Sequence, residues 1–599
     1  MTSSLRHRGP DDADIWQGGT VALGHRRLSI VDLSPLGRNP MAYQDRYWIT
    51  FNGEIYNFRV LRDELERAGY RFRSQTDTEV ILAAYDRWGA ECLQRFVGMF
   101  AFALWDVGRG EMFLARDRIG KKPLYYAEYG GRIAVASELK AIVADSRFPR
   151  IVDPRAVAQY LRYGYVPAPL SIYAHARKLP PGHCAVVRRG TVETARYWDP
   201  VPFADEAASE GDPEAAERRL EELLRDAVGL RMLADVPVGA FLSGGIDSSL
   251  IVALMQEQSA SPVKTFTIRF DDPEFNEADA AAAVARHLKT DHYEQTCDAR
   301  QMLDVVDMMP DAFDEPFADS SAIPTYLVSK IARQRVTVAL SGDGGDELFF
   351  GYPRYWHHMN TAWMLTTPPS IRRAAAAVIG AVPRRKFRRA AHVLRSDAGD
   401  RYERFISWWS GDDVRRLTGD EPERSDAYQD VQRRAHRVDE NLRPTLLDLV
   451  TYLPDDILAK VDRASMQVSL ETRCPILDHR VVEYALGLPL DLKWRSGTTK
   501  WLLRRLLYRR VPQELVDRPK MGFGVPLTSW LRGPLRERAD RLFDSSDLEA
   551  VGIDPNVARE EWRGFASGRS DVSHQIWNLF ALAAWAARWQ PQPSPSVAI

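Results

Sequence analysis

Residues 236–258, VPVGAFLSGGIDSSLIVALMQEQ, run from an apolar segment through a glycine pair into a second apolar segment at helical spacing. This reads as a strand, a tight loop and a helix. In the loop, residues 243–249 (SGGIDSS), the glycines let backbone amides approach an anion closely. The helix N-terminus aims its dipole at that anion, and the serine hydroxyls add donors. Together they make a phosphate cradle. No lysine follows the glycines as it does in GxxxxGKS/T, so β,γ-hydrolysis of the motor or GTPase kind is not implied. A site that releases pyrophosphate fits better.

The theme recurs further along the chain. A second strand is expected in VKTFTIRF (263–270) and a third in RVTVALSGDGGDELFF (335–350), with helical segments between them. A parallel, Rossmann-like sheet wound with helices is the economical reading. After the third strand, Asp343, Asp346 and Glu347 share one glycine-rich loop. Carboxylates this close are costly unless a cation or proton compensates them, and magnesium arriving with nucleotide phosphates supplies one. The spacing does not fit the EF-hand loop, which leaves a solvated acidic turn as the plain alternative. From about Tyr352 helical patterning dominates. The Arg-rich stretch 368–395 reads as solvated helix faces, and the tail QPQPSPSVAI as disordered.

Before residue 200 the chain alternates β-rich runs with turn signals, as in TVALGHRRLSIVDL, YWITFNGEIYN, GMFAFALWD and EMFLARDR. FRVLRDELERAGY and TEVILAAYDRWGAECLQRF carry apolar residues at helical spacing, so helices pack on the sheets of a layered sandwich. The acidic stretch 201–216 is the linker candidate. Four units follow: 1–200, a mainly β domain; 201–216, the linker; 217–585, the nucleotide domain with its helical C-terminal part; and 586–599, the tail.

The whole chain supports that division. At 599 residues it exceeds one ordinary core, and 45% hydrophobic with 27% charged residues is globular composition. With 80 basic and 82 acidic residues, the net charge of −2 provides no reason to expect nucleic acid or an anionic membrane as partner. No apolar run approaches the roughly 20 residues that span a bilayer, and MTSSLRHRGPDD has no apolar signal core, so a cytoplasmic location is expected. Cys92, Cys184, Cys297 and Cys474 stand singly and read as reduced, buried thiols.

FNGEIYN, TDTEVIL, GMFAFALWD, ARDRIGKKPLYY, LSGGIDSS, EPFADSSAIPTY, LSGDGGDELF and LAKVDRASMQVSLETRCPILD occur in that order. With them the chain resembles the glutamine-dependent asparagine synthetases, from Arg6 to beyond Pro526. The resemblance implies an N-terminal-nucleophile-hydrolase-like αββα glutaminase followed by an ATP pyrophosphatase-type synthetase that adenylates aspartate. Ammonia crosses between them. It implies ATP contacts from Leu242, Ser243, Gly245, Asp247, Ser248, Ile268, Ser341 and Gly342, and magnesium on Asp247 and Asp346. Asp343 and Lys500 take the catalytic roles. The family often has Glu where Asp343 stands, one methylene longer.

In the N-terminal half, Arg8, Asn52, Gly53, Glu54 and Asp77 match glutamine-binding positions, with Asn52 and Gly53 as the oxyanion hole. Read apart from the family, FNGEIYN is also an ordinary Asn-Gly hairpin turn. Expected partners are aspartate, ATP and glutamine or ammonia, with a homodimer compatible. The family's Cys after the initiator Met is absent, where Met1, Thr2 and Ser3 stand instead. The first strand of the sandwich is expected to be missing with it, either through a start placed downstream or through genuine loss. Lactam-forming or peptide-cyclising relatives on the same scaffold, and a non-catalytic nucleotide-binding protein, are the competing readings.

Overall fold

In the computed structural model, described over residues 1–206, 211–270, 276–381, 387, 390, 391, 393, 394, 398–420, 423–518 and 523–592, two β-containing halves pack against each other. In the first, β1 (Asp12–Gly18) and β2 (Val21–Arg27) form a hairpin. β3 (Met41–Tyr43), β4 (Tyr47–Ile55), β5 (Gly98–Asp106) and β6 (Glu111–Arg116) follow, then β7 (Tyr125–Tyr129), β8 (Arg132–Ala136), β9 (Ala176–Lys178), β10 (His183–Arg188) and β11 (Thr191–Arg196). One antiparallel sheet runs β11-β10-β6-β5-β4-β3 and another β8-β7-β9.

The pleat of β5 explains how they stack, because successive side chains point to opposite faces. Phe100, Phe102 and Leu104 join the core under the helices Phe58–Arg67 and Asp77–Trp88. Ala101 and Ala103 face the other way, onto Leu124 and Tyr126 of the second sheet region. Tyr125, Ala127 and Tyr129 in turn pack on Leu139, Ile142 and Tyr160 of the helices Leu139–Val143 and Pro154–Tyr163. The layers are therefore helix, sheet, sheet, helix.

The second half is centred on a five-stranded sheet: β12 (Val238–Phe241), β13 (Lys264–Phe270), β14 (Asp291–Cys297), β15 (Val338–Leu340) and β16 (Glu471–Arg473). Every pairing is parallel, in the order β14-β13-β12-β15-β16. Such a sheet needs both faces covered. Val338 and Leu340 accordingly enter one core with Leu250 and Ile251, while Ala339 enters the other with Ile323 and Leu327. The chain moves outward from β12 through β13 to β14, then returns to the far side of β12 with β15. This reversal opens a crevice at the carboxyl ends of β12 and β15, where open α/β sheets bind ligands.

Element boundaries differ slightly from the sequence divisions. The stretch 201–216 contains the helix Val201–Asp205 and the start of the helix Pro213–Arg231, capped by Asp212, whose carboxylate accepts from the Glu214 amide at 3.0 Å. Residues 207–210 lie outside the described residues. The last helix, Ser573–Trp589, runs four residues into the stretch 586–599, of which 593–599 also lie outside. The Arg-rich stretch is described in its first part as the helix Pro369–Gly380, and residues 382–386, 388, 389, 392 and 395 are outside the description. No helix among the described residues is long and apolar enough to cross a membrane.

Buried ion pairs join the halves. Arg463 lies 3.0 Å from Glu138 of the first half and 3.2 Å from Asp314 of its own half. Lys122 reaches Asp462 at 3.4 Å, and Arg473 reaches Glu54 at 3.3 Å.

Candidate active site

The loop after β12 is shaped by its glycines. Gly244 has φ +71°, and a Cβ there would lie 2.7 Å from the Ala280 carbonyl carbon, so only glycine fits. The Ser243 amide donates to Ser248 Oγ at 3.2 Å, and the Gly245 amide donates to Ser243 Oγ at 3.3 Å. The helix Ile246–Gln258 begins directly after Gly245 and carries Asp247 in its first turn.

The loop after β15 meets this one closely. A Cβ on Gly342 would lie 2.7 Å from the Ser248 amide nitrogen, and one on Gly345 would lie 2.4 Å from the Asp247 carboxylate carbon. Gly344, at φ +98°, turns the backbone against Leu477. The two loops therefore share one cleft, a cavity of about 700 Å³. Leu242, Ser243, Gly245, Asp247, Ser248, Ile268, Ser341, Gly342, Asp343, Asp346 and Lys500 all line it.

Lys500 closes the arrangement. It sits at φ +54° immediately before the helix Trp501–Tyr508, its amide donating to the Phe349 carbonyl at 3.0 Å. Its Nζ lies 2.5 Å from Asp247 Oδ2 and 2.8 Å from Asp346 Oδ1, one carboxylate from each loop. Burial works to lower the lysine's pKa, but those two charges outweigh it and the net shift is upward. Burial raises Asp343, opposed by the charge of Lys460 and by Ser341 Oγ, which donates to Asp343 Oδ2 at 2.7 Å. Burial, with Asp346 nearby, pushes Glu347 up to about 7. The Tyr352 hydroxyl donates to Glu347 Oε1 at 2.8 Å and opposes that rise.

Two carboxylates that converge on one cationic atom suit magnesium, which takes one or two carboxylates and completes its sphere with phosphate oxygens and water. Among the described residues no three or more His, Cys, Asp or Glu are grouped to hold a metal without such phosphates.

Other charged residues on the cavity wall escaped the sequence reading. Lys460 donates to Asp319 Oδ2 at 3.0 Å and to Ser321 Oγ at 2.8 Å. Arg518 donates to the Ser243 carbonyl at 2.7 Å and to Glu277 at 3.1 Å. Lys460 and Asp319 lie within LAKVDR and EPFADSS, quoted above only as family motifs, and no local pattern brings segments so far apart together.

The N-terminal candidates gather more loosely. Asn52 and Gly53 stand on β4, where Gly53 has φ +143° and a Cβ would lie 2.0 Å from the Met99 carbonyl oxygen. β4 runs straight on into its pairing with β5, so FNGE is interior strand and not a two-residue hairpin turn. Asn52 Nδ2 is 3.5 Å from Ser137 Oγ. Asp77 accepts from the Ile55 amide at 2.8 Å and is pushed up to about 7 by burial. Burial also raises Glu54, which faces Arg473. The guanidinium of Arg8, expected from the resemblance to bind the glutamine carboxylate, donates to Glu138 at 2.8 Å and to Asp462 at 2.7 Å. It ties the two halves together.

Comparison with known proteins agrees with this layout. Residues 219–587 match the asparagine synthase family model, and residues 1–198 match the glutamine amidotransferase domain model. The chain is 33% identical over 592 residues to asparagine synthetase [glutamine-hydrolyzing] 1 of Bacillus subtilis (strain 168), covering 98% of this chain and 92% of that protein. It is 37% identical over 603 residues to a putative asparagine synthetase [glutamine-hydrolyzing] of Mycobacterium bovis, covering 97% and 92%. An amidase, chyE, of Penicillium rubens is 28% identical over 616 residues, covering 92% and 88%. With one family model over most of the second half, a second over the first, and relatives of 33% and 37% identity aligned over 98% and 97% of the chain, this chain belongs to the asparagine synthase family.

Proposed function

We propose that the chain is an ATP-dependent ligase that forms asparagine from aspartate and ammonia through an aspartyl adenylate. The observation that carries this reading is the single cavity in which the 243–249 loop, the acidic loop after β15 and Lys500 face one another. Loop amides and the N-terminus of the helix Ile246–Gln258 receive the departing pyrophosphate. Magnesium, held by Asp247 and Asp346 when bound, neutralises phosphate charge. The aspartate side-chain carboxylate attacks the α-phosphorus and pyrophosphate leaves. Ammonia then attacks the acyl carbon, loses a proton, and expels AMP with the bridging oxygen.

Lys500 is placed to offset charge that builds on phosphate oxygens, a preorganised electrostatic role. Asp343, raised by burial, stands at the same wall to take the proton that the attacking ammonia loses.

The nitrogen is expected to arrive as ammonia. All four cysteines are buried, and burial raises each thiol, Cys297 to about 11 and Cys474 to about 12, so none of them is poised as a thiolate nucleophile. Incubation of the polypeptide 1–599 with ATP, magnesium, aspartate and ammonium salt should yield asparagine and pyrophosphate in equal amounts. With glutamine in place of ammonium, it should release no glutamate. Pyrophosphate release with some other carboxylic acid, and none with aspartate, would assign a different acceptor.

A further inference from the structure

Away from the phosphate loops, the same cavity carries a charge pair that the chemistry above does not use. Asp319 and Ser321 immediately precede the helix Ala322–Arg333, and Lys460 projects from the helix Leu458–Met466. All three line the cavity with Asp343. Lys460 is 8% exposed, yet it remains protonated, because Asp319, Asp456 and Asp343 outweigh the cost of its burial.

Counting hydrogen-bonding capacity shows what is left over. An ammonium has three donors. Lys460 uses two, on Asp319 Oδ2 and Ser321 Oγ. A carboxylate has about four acceptor positions. Asp319 fills three, with Lys460, the Ser321 amide at 2.9 Å and the Ser321 hydroxyl at 2.7 Å. Among the described residues, one donor and one acceptor therefore remain side by side on the cavity wall.

A free α-amino acid presents the complement, an α-carboxylate and an α-ammonium on one carbon. The other cations lining the cavity are committed elsewhere. Lys500 bridges Asp247 and Asp346, Arg518 holds Ser243 and Glu277, and Arg504 holds Asp517.

From this we infer that Asp319 and Lys460, with Ser321, form the subsite that recognises the backbone of the amino-acid acceptor, Asp319 taking its α-ammonium and Lys460 its α-carboxylate. The inference rests on the adenylating reading of the cavity and names its acceptor subsite. It explains how an acid with two carboxylates is presented in one sense: the α-carboxylate is held at Lys460, which leaves the side-chain carboxylate to reach the nucleotide.

Two analogues isolate the contacts. Succinate is aspartate without the amine, and β-alanine is aspartate without the α-carboxylate. Equilibrium binding of all three to the full chain is measured in the presence of magnesium and a non-cleavable ATP analogue. In the wild type, aspartate should bind more tightly than either analogue. Asp319→Asn should cut the preference over succinate by roughly 10- to 100-fold, the range for hydrogen bonds to charged groups, and leave the preference over β-alanine unchanged. Lys460→Met should do the reverse, and Lys460→Arg should restore the preference over β-alanine.

A general loss of folding would weaken the three ligands together and cannot produce these opposite changes. If wild-type protein forms asparagine while both variants keep both preferences, or lose them equally, the subsite is overturned alone. If wild-type protein forms no asparagine and binds no aspartate, the reading beneath it falls as well.

Discussion

Replacing Lys500 by methionine removes the cation between the two loops while keeping much of its length. Its Nζ lies 2.5 Å from Asp247 and 2.8 Å from Asp346, and all three side chains are largely buried. At an effective dielectric of about 20, each contact carries on the order of 6 kcal/mol of Coulomb attraction before desolvation is subtracted. Removing one partner from such a buried arrangement leaves uncompensated charge and costs about 3–5 kcal/mol net. Without ligand, the variant is therefore expected to unfold at lower denaturant than wild type, and magnesium should recover part of the loss by taking the lysine's place. In turnover, loss of one preorganised electrostatic group lowers kcat by on the order of 100- to 1,000-fold. The assay is pyrophosphate release at saturating ATP, aspartate and ammonia, beside a denaturation curve with and without magnesium. A variant that keeps kcat within a few-fold of wild type would refute the role given to Lys500.

Three further outcomes follow from particular contacts. Gly342→Val would push side-chain atoms into the Ser248 amide, 2.7 Å from where a Cβ would sit; overpacking of about 1–3 kcal/mol then falls on the joined loops, and ATP affinity should drop at least several-fold by titration. Glu347 is pushed up to about 7 from 4.5, so its stabilising share is fully present below pH 4.5 and lost as the pH rises through 7. Glu347→Gln should flatten that dependence in denaturation midpoints between pH 4.5 and 8 and be the more stable form at pH 8. Arg463→Met removes one of several buried cations around Glu138 and Asp314, which keep Arg8 and Lys140, and should destabilise the chain by about 1.5–3 kcal/mol, the range for hydrogen bonds to charged groups, seen as a lower or split unfolding transition.

The parts of this site legible in the sequence are those whose residues are contiguous. SGGIDSS and SGDGGDE each contain their own glycine punctuation, their own acids and the strand that precedes them, so strand, loop and helix read directly from local pattern. The two sheet layers meet across β5, whose Phe100, Phe102 and Leu104 face one way and whose Ala101 and Ala103 face the other. What local pattern does not encode is juxtaposition. Lys460 and Asp319 meet across 141 positions, and Arg8 meets Asp462 across 454, because helix packing and domain docking bring them together. For the same reason, nothing around Arg8 in the sequence shows that its guanidinium holds two of the chain's own carboxylates, Glu138 and Asp462. The boundary at residue 213 was decipherable in principle, since Asp212 followed by Pro213 is a helix-start signal, but the surrounding acidic composition hid it.

Isotope transfer tests the adenylating role of the cleft most directly. Aspartate labelled with oxygen-18 in its side-chain carboxylate is incubated with the full chain, ATP, magnesium and ammonium salt, and the nucleotide product is weighed by mass spectrometry. One label per AMP formed is expected, because the oxygen that attacks the α-phosphorus leaves with it. Unlabelled AMP, or label in ADP or inorganic phosphate, would contradict adenylation in this cleft.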